Sequence, residues 1–420
     1  MDSTGSETAP KRAQSHTVLG RHPLSTAAGL IAMAWALAVV ASVVTTGGIP
    51  PDFAVFHGAG TLIREGDYET AYRFADFAAF LGAEYDPWFA DTTLVHFLNP
   101  PPFGWFAQAL SFLPAVPSFF VWTTINFVVT VAVYRRLGLP TNGLGALVLS
   151  PMMLLNLTLG QTGALMLLIL AGMHVMMVND RRLALGLIGG LLILKPPLAI
   201  GYGVLWLVKS RRYAISIASS LVVGAVISVP TLLGGLGPWE EFLSAIANRT
   251  EIDSNAFATS LSLAEFFKVL VPQAPVPVTL SVWALGAVLT AGMLIYIDRR
   301  FDGDLEMLSA TAVVATVLFS PHLLTYDGLI LVIPMAVAYR RGALDSHRVG
   351  LLSLAVSASI ALGPLLSLRI PIAGKFAALA FPALVICSAL LLRWINDAER
   401  QRQSNDTDTD TDTLENLAPA

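Results

Sequence analysis

Five short stretches of this 420-residue chain place charge-bearing or polar side chains in unusually apolar surroundings. In "TTGGIPPDFAVFHGAG" Asp52 follows an apolar run within seven residues, behind Pro50-Pro51, which stiffen the approach, and ahead of the apolar "FAVF". Taken alone it reads either as a solvated loop acid or as an acid held at a membrane surface, and His57 beside it reads as a packing residue. Lys195 follows "LGLIGGLLIL" directly, and a lysine at the centre of a membrane helix costs about 2.5–3.5 kcal/mol unless paired or wetted. It either snorkels to the interface or partners an anion, and Pro196-Pro197 after it favour a broken helix that bends into a cavity. "SPHLLTYD" carries His322, with Asp327 five residues on; Asn99 opens "NPPP"; and Gln161 follows Gly160, where it reads equally as a turn residue or as a ligand contact.

The elements that must position these residues are membrane helices. The chain is 55% hydrophobic and 13% charged, with mean hydropathy +0.67, above the range of a soluble domain of this length. A net charge of −4 gives no reason to expect a nucleic-acid partner. Cys387 is the one cysteine, which leaves no intrachain disulfide or multi-cysteine metal site and reads as a small packing residue. The first apolar run, 24–46, is about 23 residues long, enough to span and longer than a cleaved signal's core, so it reads as a retained helix.

Apolar runs at 24–46, 118–134, 143–158, 162–178, 213–233, 277–297, 349–368 and 373–393 are read as clear spans. Four shorter runs, 183–194, 198–208, 306–319 and 328–339, are flanked or broken by proline, and such helices are tolerated where they face protein or a wet cavity. Segment 99–114 decides the topology. If it lies along the surface rather than spanning, the pairs Arg135/Arg136, Arg181/Arg182, Arg211/Arg212, Arg299/Arg300 and Arg340/Arg341 share a side with the N-terminus. That arrangement places 18 of the 25 Lys and Arg residues inside.

The expected architecture is therefore an all-α polytopic membrane protein of about twelve spans. Residues 1–23 form a cytoplasmic leader, 24–395 the membrane domain, and 396–420, with its "TDTDTDTDT" repeat, a disordered cytoplasmic tail. External loops fall at 47–117 and 234–276; the first holds eight acids against Arg64 and Arg73, and its apolar stretches suit helices lying in the interface. In this topology Asp52, Asn99, Gln161, Lys195, His322 and Asp327 all land on the outer side. The N-x-[ST] matches at Asn156 and Asn248 are discounted as chance. With no Walker A, dinucleotide fingerprint or metal-ligand cluster, neither a nucleotide cofactor nor a metal is expected.

The ordered series "PDFAVFHGAGTLIREGDYETAYRF", "NPPPFGWFAQALSFLP", "LGQTGALMLL", "LLILKPPLAIGYGVLWLVKSRRY" and "FSPHLLTYDGLILVIP", covering roughly 24–340, resembles the GT-C superfamily of polyprenyl-phosphate-sugar-dependent glycosyltransferases. Within it the chain is most similar to glycosyltransferase family 87, which includes mycobacterial phosphatidylinositol-mannoside mannosyltransferases. The resemblance implies a GT-C-type fold with interfacial helices in a large first outward loop. It also implies a catalytic aspartate after the first helix, which maps onto Asp52, and donor-phosphate contacts that map onto Lys195 and His322. Gln161, Asn99, Asp327 and Arg249 are weaker substrate-binding candidates, with Asn255 and Ser260 weaker still.

The implied reaction is a hexose transfer, mannose for example, from a polyprenyl phosphate to a lipid or polysaccharide acceptor of the cell envelope, at the external face of the plasma membrane and without a cofactor. A phosphate is a good leaving group, so one carboxylate acting as general base suffices, helped by a cation near the phosphate. The competing expectation is a transporter or flippase for a lipid-linked or small polar substrate, built from the same broken helices. Inverted repeats would favour it, and none is found. A non-catalytic scaffold would leave the cost of Lys195 unexplained.

Overall fold

The computed structural model describes residues 48–91, 96–148, 150–233, 235–247, 261–271, 275–345, 348 and 380–415, all without β-strand. The expected spans at 24–46 and 349–368, and the start of the one at 373–393, lie outside these residues. Four of the described helices are long and apolar enough to cross a membrane: Ala115–Arg136, Ser210–Leu232, Pro277–Arg300 and Phe381–Gln401. They correspond to the runs expected at 118–134, 213–233, 277–297 and 373–393. Their surfaces carry exposed Leu221, Val222, Val226, Leu285 and Val288, as lipid-facing helices should.

In chain order the segment before the first described spanning helix forms α1 (Pro51–Glu65), α2 (Tyr68–Tyr72), α3 (Phe74–Glu84) and α4 (Phe103–Leu110). The membrane body follows with α5 (Ala115–Arg136), α6 (Thr141–Val148), α7 (Pro151–Thr158), α8 (Gly163–Val178), α9 (Arg182–Gly189), α10 (Ile200–Val208) and α11 (Ser210–Leu233). The remainder is α12 (Gly237–Ala247), α13 (Leu263–Leu270), α14 (Val276–Arg300), α15 (Leu305–Phe319), α16 (Val332–Arg340) and α17 (Ala380–Glu415).

The short helices form the centre. α15 is buried along nearly its whole length and α8 along most of it, and α15, at 15 residues or about 22 Å, is too short to span a bilayer by itself. It packs against α8, α10, α14 and α16, so its ends meet protein rather than lipid. The breaks expected in the short runs are present as 3-10 turns at Gly190–Leu194, Pro196–Ala199 and Thr325–Leu331.

One expectation needs correction. The run 143–158 is not one span but two eight-residue helices, α6 and α7. Ser150 is extended (φ −63°, ψ 141°), caps Met153 N–H with its hydroxyl at 3.2 Å and precedes Pro151, which disfavours helical backbone at the residue before it. Helix α17 continues from its apolar half into the acidic tail as far as Glu415.

Segment 99–114 does not span. Its helix α4 is eight residues, about 12 Å, and lies against α1, where the missing side chain of Gly60 permits contact: a Cβ there would sit 2.0 Å from the Ala107 carbonyl oxygen. Phe56, Leu62, Tyr72, Phe77, Leu81, Phe97 and Phe103 give the α1–α4 unit its own core. From segment 234–276, expected as the second external loop, α12 adds Phe242 to that core, and Arg73 bonds both Glu69 (2.5 Å) and Glu241 (3.0 Å). The two segments expected outside are thus packed on one another.

The basic loops meet at the opposite end. Arg341 pairs with Asp304 and Glu399, each at 2.5 Å, and Arg340 reaches Glu306 and the Leu137 carbonyl. Lys209 pairs with Asp298, and Arg212 with Asp180 at 3.4 Å. Five inter-helix connections therefore share one end of the body, the grouping that the arginine pairs in the sequence suggest.

Candidate functional site

At the end away from the arginines, four segments distant in sequence converge. Asp52 lies in the first turn of α1, where helix N–H groups and the aligned dipole favour a carboxylate. Its Oδ2 accepts from Gln161 Nε2 at 2.5 Å. Burial pushes the Asp52 pKa above its ordinary value, opposed by the Gln161 hydrogen bond and by the charge of Lys195. A partly buried carboxylate with raised basicity, one amide partner and a neighbouring cation is equipped to accept a proton.

Gln161 is aimed by a loop held at several points. Trp122 Nε1 donates to the Gly160 carbonyl at 2.8 Å, Gln161 N–H to the Asn156 carbonyl at 2.9 Å, and Gly163 N–H to Asn156 Oδ1 at 2.7 Å. Asn156 Nδ2 donates in turn to Asn126 Oδ1 at 3.0 Å, and both asparagines are buried. Gly160 has φ +67°, and a Cβ there would come within 2.8 Å of Phe53, the residue after Asp52. Both the left-handed backbone and the close approach require glycine. The sequon match at Asn156 thus belongs to an internal frame, whereas Asn248 lies outside the described residues.

Lys195 is not free to snorkel. Its Nζ donates to Asp327 Oδ1 at 2.6 Å and lies 4.8 Å from the centre of the Tyr326 ring. Asp327 is fully buried and also accepts from Leu324 N–H at 3.2 Å. This geometry makes it the partner of Lys195 rather than a group open to substrate. An ammonium has three donors, so Lys195 keeps capacity beyond Asp327.

His322 is half-buried. Its backbone is joined to the Lys195 segment through Ser320, whose hydroxyl is 2.9 Å from both the Pro197 and His322 carbonyl oxygens. Asn99 is set apart: its carbonyl accepts from Tyr72 Oη at 3.0 Å within the α1–α4 core. Arg249, Asn255 and Ser260 lie outside the described residues. Among the described residues no group of three His, Cys, Asp or Glu side chains is placed to hold a metal.

The structure therefore brings together Asp52, Gln161, Lys195 and Asp327, with His322 on the adjoining segment. Trp122, Asn126, Asn156 and Tyr326 were not singled out from sequence. Asparagines within apolar runs were the available signal, since a buried amide needs partners.

Beside this cluster runs a mostly apolar cavity bounded by Met152, Gly328, Leu331, Met335, Leu384 and Leu391. Gly328 is the residue after Asp327, so the apolar space begins next to the charged pair. No curated protein and no solved structure matches the chain significantly. The sequence model of Glycosyltransferase family 87 matches residues 97–321, more than half of the chain, and takes in Gln161 and Lys195. The convergent polar residues thus sit in a helical membrane protein, and the chain belongs to glycosyltransferase family 87.

Proposed function

We propose that the protein transfers a hexose, such as mannose, from a polyprenyl phosphate to a lipid or glycan acceptor at the outer face of the plasma membrane. The body would have about twelve spans with both termini cytoplasmic. The observation that carries this reading is the pairing of a raised-pKa carboxylate, Asp52, with a lysine anchored nearby on a buried acid.

Asp52 takes the proton of the acceptor hydroxyl as its oxygen attacks the sugar's anomeric carbon. The bond from that carbon to the phosphate oxygen breaks on the opposite face, and the electron pair leaves with the polyprenyl phosphate. The product is inverted, with one proton on Asp52 and the new negative charge on the phosphate. Lys195 stabilises that charge as it develops, and Asp327 holds the lysine in place. Gln161 orients Asp52. His322 is the second donor-phosphate contact. Membership of the family favours this reading over a transporter built from the same short helices.

The test is transfer from a radiolabelled polyprenyl-phosphate sugar by purified protein, alongside Asp52→Asn. Label should reach the acceptor in the wild type and fall to background in the variant. Full activity in a folded Asp52→Asn protein removes Asp52 as base, and label movement that needs no acceptor points to transport.

A further inference from the structure

The α1–α4 unit holds a second, more polar cavity of about 470 Å³ that the Asp52 site does not use. One wall is α1, through His57, Thr61 and Arg64; the others are Glu84 and Tyr85 at the end of α3, the turn Ser111–Leu113 with the start of α5, and Gly48 and Ile49 ahead of α1. At 100° per residue these α1 positions lie about 120–180° around the helix from Asp52. They also lie about 7–18 Å further along it. The α1 wall of the cavity therefore faces away from the reacting carboxylate, while Gly48 and Ile49 carry the cavity toward the start of the helix.

Its walls are fixed. The His57 ring lies between the Tyr85 hydroxyl at 2.6 Å (Nδ1) and the Leu113 carbonyl at 2.9 Å (Nε2). Nε2 therefore carries the proton and Nδ1 accepts, the neutral form that burial also favours. One N–H of Arg64 is given to the Ser111 carbonyl, which orients the guanidinium and leaves other donors on it. Glu84, exposed at the cavity edge, supplies a carboxylate, and Thr61 a hydroxyl. Phe112 is 69% exposed and Leu113 44%, at the turn leading into the spanning helix α5.

We propose that this cavity binds a neutral pyranose unit, a non-reacting sugar of the acceptor; the assignment to the acceptor rests on the transferase reading of the Asp52 site. The charges select the ligand class. An anionic headgroup would meet Glu84 and a cation would meet Arg64, whereas vicinal hydroxyls can donate to the carboxylate and accept from the guanidinium at once. Tyr85 and Phe112 offer apolar surface for the C–H face of a ring, and the volume lies within the range of small-ligand sites. A sugar held against Thr61, Arg64 and Glu84 lies on another face of α1 from Asp52 and does not present the attacking hydroxyl. It anchors the acceptor while another unit of the same glycan, or the lipid carrying it, reaches over the start of α1.

The test is binding by saturation-transfer NMR of methyl α-mannoside and an α-linked mannotriose to the full-length protein in micelles, with Glu84→Gln and Phe112→Ala alongside. Both positions are exposed, so folding should persist. Glu84→Gln should weaken trisaccharide binding by about tenfold, the loss expected of a charge-assisted hydrogen bond, and raise the acceptor KM with the donor KM unchanged. Asp52→Asn should abolish transfer and bind the trisaccharide as before. Tighter binding of a synthetic glycolipid with the same head would identify a lipid-borne sugar, and equal binding a free glycan; either supports the subsite. Sugar binding unaffected by Glu84→Gln overturns it, as does displacement of the sugar by phosphatidylglycerol nanodiscs. Glu84-dependent binding by a protein that transfers no sugar leaves the subsite standing and overturns only the transferase reading.

Discussion

At the arginine end of the body charge is matched by charge: Arg341 alone reaches Asp304, Glu306 and Glu399, and Arg340 fills its donors with Glu306, the Leu137 carbonyl and His174. At the Asp52 end the same kinds of group are left short of full pairing. Asp327 takes Lys195, so Asp52 keeps an amide partner and only the longer-range influence of that lysine. The arginine end is arranged to hold loops together. The other end keeps a carboxylate less stable as an anion than it would be in water, and stored basicity of that kind is what a general base requires.

The largest expected effect follows from that difference. Asp52→Asn should lower the transfer rate by about 10²–10⁴, the usual worth of a general base. It should not lower stability. Because the folded protein holds Asp52 with a raised pKa, the folded state binds its proton more tightly than the unfolded chain does. Ionised Asp52 therefore opposes folding above its unfolded pKa, and the opposition grows as pH rises toward the folded value. At neutral pH the Asn variant should melt at the same temperature or higher, as read by thermal unfolding in detergent. A lower melting temperature would mean that Asp52 is structural.

Lys195→Met reaches the same site by the opposite route. It leaves Asp327 buried and unpaired, which should cost about 3–5 kcal/mol of stability. The double variant Lys195→Met, Asp327→Leu should recover most of that loss and stay inactive. Recovery of activity in the double variant would show that the pair only fills space. At the arginine end, Arg341→Met should cost about 1.5–3 kcal/mol, since its partners are partly solvated, and leave turnover per folded molecule unchanged. If turnover falls with stability there, the division between the two ends fails.

Much of this was legible in the sequence, for different reasons at each level. The grouping of the arginine pairs and the convergence of Asp52, Gln161, Lys195, His322 and Asp327 follow from counting spans, because each crossing moves the chain to the other side. Partnership could not be read that way. Lys195 and Asp327 are 132 residues apart, and nothing in either motif tells a lysine held by an acid from one waiting for a phosphate. The same limit hid the Asn126–Asn156 frame. The break at Ser150-Pro151 was readable, as a serine cap followed by proline at the first helical position, but the apolar run through it dominated the reading.

The smallest expected effect bears on how the Asp52 end is adjusted. Gln161 donates to Asp52 and so lowers a pKa that burial raises. Gln161→Ala removes the lowering contribution while Lys195 remains, so the Asp52 pKa should rise further and the acid limb of the pH–rate profile should move to higher pH. The loss should be under about tenfold on that limb, since one hydrogen bond is involved, and should shrink as pH rises and the carboxylate ionises regardless. A loss equal at every pH would mean instead that Gln161 fixes the direction of the carboxylate, since misdirection is not repaired by deprotonation. The two outcomes separate tuning from aiming, and the several bonds holding the Gly160–Gly163 loop suit either role. Glutamate at 161 tells them apart again. A second anion should raise the Asp52 pKa more than alanine does, so Gln161→Glu should have the more displaced acid limb if the amide tunes basicity.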